Sequence, residues 1–434
     1  MRARLTMVWE NVSASLWFVP GMLTVAAILA AWLVLAPPLD MADRFAPAWW
    51  LYSGKAKDAS TLLGTFFTSM ITMATLAVSI TMVVLTLAAA QLGPRLIRSF
   101  MADRRTQLML GFFLATIVYL VLILRAVNAA ANDDSVPHLA VTIATASVLI
   151  CVFMLLFFVH HLARSIVADT VIRRVGDDLD SAIAAMLPEA EGAEPGPAEP
   201  PERLSGGAPL RLPTGGYVQA MSYDELVHCA KAADAFIELD FRPGHHLLAE
   251  GEHGRVHPAS ALNFDTRAQI ADCVLIGGER TPTQDIEFAI RQLVEIALRA
   301  LSPGVNDPFT AIAVIDRLGV SLALMMRRGA AIGAWQDEEG QVRVVGPTTT
   351  LRGAVDAAFN QIRQSGEGHP AILIRLLATF AQLAEHARDD EARRVLADHI
   401  AMIATAAKRS IAERADLAGV EEALAAALAR LERR

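Results

Sequence analysis

Seven hydroxyl side chains hold one helical face along a run without a single charge. Thr61, Thr65, Thr68, Thr72, Thr75, Ser79 and Thr86 are spaced 4, 3, 4, 3, 4 and 7 residues apart. At 100° per residue this confines them to an arc of about 80° on an α-helix. Met82 is the one non-hydroxyl at a stripe position, Ser69 lies just beside the arc, and Thr81 falls on the opposite face. Hydroxyls in an apolar solvent need partners, so the stripe should meet protein or water. Two chemistries suit it. Ser and Thr are small hydrogen-bonding residues for helix–helix contacts, and each can bond its own i−4 carbonyl. In a ring of identical chains, one such face from each would instead line a central path, with Met82 as an apolar constriction.

Three other groups of residues are candidates. Arg95, Arg98, Arg104 and Arg105 follow the stripe directly. They suit positive-inside anchoring on anionic lipid, or an inner vestibule that concentrates anions. Arg125, at the end of the next apolar run, suits snorkelling to the interface. The segment Ser302-Pro303-Gly304-Val305-Asn306-Asp307-Pro308 reads as the end of one helix and the start of another. Asp307 is a natural N-cap and Pro308 a natural first residue. The exposed amides of that start could hold an anion, although the Asp307 carboxylate would already occupy them. His245, His246, His253 and His257 cluster near turns, but match no zinc spacing and have no Cys among them. No P-loop, G-x-S-x-G, HExxH or strand-borne GxGxxG is present. The chain reads as a non-enzyme with no cofactor and no metal.

The elements that must position these residues follow from composition. The 434 residues are 54% apolar and 19% charged, too apolar for water throughout and too charged for lipid throughout. The charges divide the chain. None occurs in 11–39, 59–94, 106–124 or 135–163, and later runs are much shorter. A bilayer helix needs about 20 apolar residues, so four spans are expected, at about 15–36, 61–91, 108–125 and 139–162, with none after residue 164. The first is read as a retained helix, not a signal peptide. No span contains an internal charge, which argues against a coupled transporter and is compatible with a passive channel. Residues 1–163 carry ten Lys/Arg against seven Asp/Glu; residues 164–434 carry 28 against 39. The acidic balance argues against a nucleic-acid partner. Three scattered cysteines exclude a disulfide scaffold.

Short-loop charge sets orientation. Arg2 and Arg4, the 95–105 arginines, and Arg164, Arg173 and Arg174 place both termini in the cytoplasm. The loop with Asp133 and Asp134, and the Trp49, Trp50 and Tyr52 belt, then face outward. Residues 164–208 read as an amphipathic helix (165–186) and a Pro/Glu-rich linker. Residues 209–281 read as a small α+β module, with strands at GYVQAM and AFIELDF, a helix between them, and turn glycines in RPGHHLLAEGEHGRV. Residues 282–434 read as helical. Glu287, Arg291, Glu295 and Arg299 form a step-of-four ladder suited to a solvated face. A short hairpin is expected at 336–346 and three helices over 350–432. The last of these carries an apolar stripe at Leu417, Val420, Leu424, Leu428 and Leu431.

Residues 77–113 (AVSITMVVLTLAAAQLGPRLIRSFMADRRTQLMLGFF) and 295–319 (EIALRALSPGVNDPFTAIAVIDRLG), with the four-span layout and the GYVQ and RPG segments, resemble a bacterial family of predicted integral membrane proteins, domain-of-unknown-function family 2254. The resemblance implies a bacterial inner-membrane protein and implies no activity. The expected fold is a mainly α membrane protein. It comprises a four-helix transmembrane bundle, a cytoplasmic α+β domain with a small β module, and a C-terminal helical bundle. The expected function is a homo-oligomeric channel in the lipid bilayer, passing a small inorganic ion and assembled or gated by its cytoplasmic part. The alternative is a membrane-anchored sensor or scaffold that uses the stripe only for packing.

Overall fold

The structure, a computed structural model, describes residues 15, 17–36, 51–92, 101, 103–129, 136–165, 168–187, 206–329 and 333–433. The expectations placed on Arg2, Arg4, Arg95, Arg98, the 133–134 acids, Trp49, Trp50 and the linker at 188–205 lie outside these residues. The chain divides into two compact units, one holding the described residues up to Ser165 and the other those from Ala168 on.

Among the described residues, four helices build the first unit: α1 (Phe18–Leu35), α2 (Ala56–Leu92), α3 (Arg104–Ala129) and α4 (His138–Ser165). All four are long and apolar enough to cross a membrane. At 1.5 Å per residue, the 37 residues of α2 reach about 55 Å, well beyond a ~30 Å hydrocarbon core. α3 is the most enclosed. Its Phe113, Leu120 and Ile123 pack with Leu63, Met70 and Ala77 of α2 and with Ala140, Ala144 and Phe158 of α4. Gly111 allows α1 to approach α3, since a Cβ there would lie 2.9 Å from the Pro20 Cα. Polar clamps hold both ends of the bundle. At one, Ser60 Oγ donates to Asn128 Oδ1 at 2.8 Å and the Tyr52 amide donates to Thr142 Oγ1 at 2.9 Å. At the other, Asp103 accepts from Thr106 Oγ1 at 2.7 Å and lies 2.6 Å from His161 Nε2.

The second unit begins with the amphipathic helix α5 (Ala168–Met186). Strands β1 (Ala208–Arg211) and β2 (Gly216–Met221), helix α6 (Tyr223–Ala232), strands β3 (Phe236–Leu239), β4 (His246–Leu247) and β5 (Glu252–His257), helix α7 (Phe264–Asp272) and strand β6 (Val274–Gly277) follow. Then come α8 (Ile286–Ala300), α9 (Pro308–Arg328), β7 (Ala334–Gln336) and β8 (Val342–Val345). Two sheets form, ordered β1-β5-β3-β8-β7 and β4-β2-β6. The expected 336–346 hairpin is the β7–β8 pair, and it completes a sheet begun a hundred residues earlier, with β8 parallel to β3. Stacked rings of Tyr223 and Trp335, 3.9 Å apart, join α6 to β7.

Three sequence readings change. The tail from 350 holds four helices, not three: α10 (Leu351–Ser365), α11 (Pro370–Leu383), α12 (Asp390–Ser410) and α13 (Arg414–Leu431). The break between α12 and α13 has neither Gly nor Pro; Glu413 restarts the helix by accepting from the Ala415 amide. The apolar stripe of α13 is used in part inside the chain: the helix packs on α11, with Val420 buried, Leu417, Leu424 and Leu431 half-buried and Leu428 exposed.

The second change concerns membrane spans. α9 is also long and apolar enough, so five described helices qualify by length and composition. Its adjacent Asp316 and Arg317 mark the difference from the first four. Arg317 Nη2 donates to Asp180 Oδ2 at 2.7 Å and to Asp177 Oδ1 at 3.2 Å, both on α5. Asp316 pairs with Arg375 of α11. Ser321 Oγ adds a 2.6 Å bond to Asp180. Gly176 leaves the room for this network, because a Cβ there would sit 2.0 Å from Arg317 Nε.

The third change is the Glu287–Arg299 ladder. Its pairs form, with Arg291–Glu287 at 3.6 Å and Arg299–Glu295 at 3.9 Å. The face is not simply solvated, however: the Glu287 side chain is 12% exposed and Arg291 53%.

Candidate functional site

The hydroxyl stripe lies on α2, and every member is exposed. Thr61, Thr65, Thr68, Thr72, Thr75, Ser79, Met82 and Thr86 all face away from the other described helices of this unit. Among the residues of α2 whose side chains are described, the buried ones are Ala59, Leu63, Met70, Ala77 and Thr81, and they centre about 180° from the stripe. The helix therefore packs on its own bundle through one side and turns the hydroxyls fully outward. Five of them are satisfied within the helix. Thr61, Thr65, Thr68, Thr72 and Thr86 each donate to the i−4 carbonyl, at 2.9 to 3.1 Å. Thr81, the exception read from sequence, does the same from the buried side. Met82 is 61% exposed at its stripe position.

Arg104 and Arg105 are exposed in the first turn of α3, with Asp103 just before it. Arg95 and Arg98 lie outside the described residues.

The 302–308 segment is a tight corner between α8 and α9. Ser302 Oγ donates to the Arg299 carbonyl, the Val305 and Asn306 amides return to the Ser302 carbonyl, and the Asp307 amide reaches Ala300 O at 2.7 Å. Asn306 takes a left-handed φ of 50°. Pro303 and Gly304 form the exposed tip. Asp307 accepts from the Phe309 and Thr310 amides and from Thr310 Oγ1 at 2.6 Å, with Pro308 as the first helical residue. Those bonds hold its carboxyl below the usual carboxylate range. The amides that could have held an anion are thus occupied by the chain's own cap.

A cleft of about 480 Å³ in the same unit lies where the ladder meets the RPG turn. Arg242 Nη2 donates to Glu287 Oε1 at 2.5 Å. Arg280 pairs with the buried Asp285 through Nε, and through Nη2 at 2.9 Å, and stands 3.8 Å from Glu287. Asp285 also caps α8 by accepting from the Phe288 amide. Gly244, at φ +90°, brings the turn onto this pair; a Cβ there would meet Asp285 Oδ2 at 2.3 Å. His245, His246 and His253 line the cleft, while His257 does not. Burial and the nearby guanidinium of Arg242 push His245 below its ordinary value. Among the described residues, no three His, Cys, Asp or Glu are placed to hold a metal. The sequence signalled the parts of this cleft, in the RPG turn and the step-of-four ladder. It did not signal their meeting, because Arg242 and Glu287 are 45 residues apart.

The family model described as Predicted membrane protein (DUF2254) matches residues 13–382. The chain belongs to this family. The match takes in the apolar helices, the 302–308 corner and the cleft, and stops at the end of α11. An uncharacterized protein of Mycobacterium tuberculosis and another of Mycobacterium bovis are each 31% identical to the chain over 388 residues, covering 88% of it and 74% of each relative. No solved structure matches the chain.

Proposed function

We propose that this DUF2254 protein is a homo-oligomeric inner-membrane channel, with the stripe on α2 lining the path and the unit from Ala168 on assembling or gating the ring. One observation carries the reading: a continuous hydroxyl face 180° from the face by which α2 packs on its own chain. Among the described residues, spans one, three and four leave it uncovered, and in this reading second copies flank it with water along the path. An uncharged polar lining suits passive conduction, and Met82 suits an apolar constriction. In this reading α1 to α4 span the membrane, both termini lie in the cytoplasm, and α9 stays with its ion pairs in the cytoplasmic unit. A charged pair such as Asp316 and Arg317 is costly at a bilayer centre. Arg104 and Arg105 then stand at the inner mouth, and no catalytic role is assigned. The second reading, a membrane-anchored scaffold with copies packed dry through the stripe, draws support from the back-bonded threonines, which tolerate an apolar neighbour.

Two measurements separate them. Thr72→Leu with Thr75→Leu should abolish ion flux in liposomes while assembly persists; undiminished flux removes the stripe from the mechanism. Thr72→Cys should react with a charged, membrane-impermeant thiol reagent in assembled protein. The native Cys151, Cys229 and Cys273 are buried and give a low background. Protection of Thr72→Cys in the intact assembly favours dry packing.

A further inference from the structure

We propose that the corner between α8 and α9 is a membrane-docking tip, which seats Val305 and Phe309 at the headgroup–acyl boundary of the bilayer surface from which α4 leaves. The proposal rests on the reading that α4 spans the membrane. Phe309 is 80% exposed and Val305 58%, on either side of the Asp307 cap. Apolar side chains this bare are unfavourable in water and favourable at a lipid interface. The corner cannot fold them away. The Val305 and Asn306 amides donate to the Ser302 carbonyl and the Asp307 amide to Ala300 O. The Phe309 and Thr310 amides donate to the Asp307 carboxylate, and Pro308 has no N–H. From Val305 to Thr310, therefore, every backbone N–H is already satisfied, which is the condition an apolar medium imposes. Between Arg299 and Asp316 the only charge is that of Asp307, and its carboxylate is engaged by three donors of its own helix.

The register of two helices brings this tip to the bilayer. α5 and α9 lie side by side and run the same way. Gly176 lies against the Arg317 side chain, Asp180 accepts from Ser321 Oγ, and the Leu187 carbonyl accepts from Arg328 Nη1. Each of these pairs is 141 positions apart in sequence, so the helices keep step from Gly176 to Leu187. About two turns earlier, the same step sets Ala168, the first residue of α5, level with Phe309, the second of α9. α4 ends at Ser165, and the three positions from there to Ala168 span at most about 11 Å. The corner thus occupies the end of its unit at which the chain arrives from the membrane.

The test uses full-length protein in vesicles of phosphatidylethanolamine and phosphatidylglycerol, with and without brominated acyl chains. Val305→Cys, Phe309→Cys, Arg327→Cys and Phe153→Cys each carry a polarity-sensitive fluorophore in turn, and the native cysteines are buried. All four positions are exposed, so the labelled chains should keep the wild-type melting temperature. Arg327 is the control, about 27 Å along α9 from Phe309. Emission at 305 and 309 should lie to the blue of that at 327, and brominated lipid should quench it roughly twofold or more beyond the quenching at 327. Emission and quenching equal to those at 327 overturn the proposal. A blue-shifted probe at 309 that brominated lipid does not quench marks a protein neighbour, a second copy included, and also overturns it. Phe153 lies within α4 and tests the span itself. Quenching at 153 without quenching at 305 or 309 removes the tip and leaves the span in place, whereas no quenching at 153 removes the span reading and the tip with it.

Discussion

At the scale of single residues, the clearest roles belong to caps and to one buried ring. Asp307 closes the start of α9 with three accepted bonds. Asp307→Ala should cost about 1 kcal/mol, read as an earlier thermal transition; no change would mean the corner is held without its cap. His399 is almost fully buried, lies against the ring of Phe380 and shares a 2.9 Å contact with Asp356. Burial lowers its pKa, despite the opposing pull of Asp356. The unfolded chain, with an ordinary histidine near 6.5, then binds the proton more readily than the folded one. Stability is therefore full above that value and declines as pH falls below it. His245 acts in the same direction. Melting temperatures between pH 7.5 and 5.5 should fall, and His399→Leu should flatten that slope. An identical slope in the variant assigns the pH dependence elsewhere.

At the scale of elements, two glycines set how closely helices meet, Gly111 between α1 and α3 and Gly176 between α5 and α9. Gly176 lets Arg317 of α9 cross α5. Gly176→Val should displace Arg317 from the half-buried Asp180 carboxylate, with a loss of about 1–3 kcal/mol, the range for hydrogen bonds to charged groups. A loss in Gly176→Val with Arg317→Ala no larger than that of Arg317→Ala alone would locate the damage at this crossing. The elements themselves were largely legible. The charge-free runs give α1 to α4, the step-of-four ladder gives α8, and Asp307-Pro308 gives the start of α9. What stayed illegible depends on contacts far apart in sequence. Glu287 and Arg291 form a step-of-four pair wherever they sit, and only Arg242 and Arg280 turn that pair inward. The break at 411–413 lacks any backbone punctuation, so periodicity runs straight through it. By length and composition α9 qualifies alongside α1 to α4; Asp316 and Arg317 interrupt its apolar run in the sequence, and only the fold shows that they pair with α11 and α5. The stripe on α2 was legible as a stripe, but which way it faced required the packed bundle.

At the scale of the whole molecule, two unlike units share one chain. The described residues up to Ser165 offer an outward hydroxyl face, and those from Ala168 on hold the ion-paired helices and the cleft. If copies gather through α2, single cysteines at Ser79 and Thr86 should cross-link between chains, whereas one at buried Ala77 should not. Cross-linking at Ala77 alone would mean that the opposite side of the helix meets the neighbour. The back-bonded threonines add a consequence for such a gathering. Five hydroxyls have already committed their single proton to the carbonyl one turn below. None of these five remains to be given to an adjoining chain, although each oxygen can still accept. Thr75 and Ser79 make no such bond among the described residues and keep their protons. One helix can turn or slide against the next without breaking a hydrogen bond at the five positions, so the two in the middle of the stripe are where a hydrogen-bonded register between neighbours would be set.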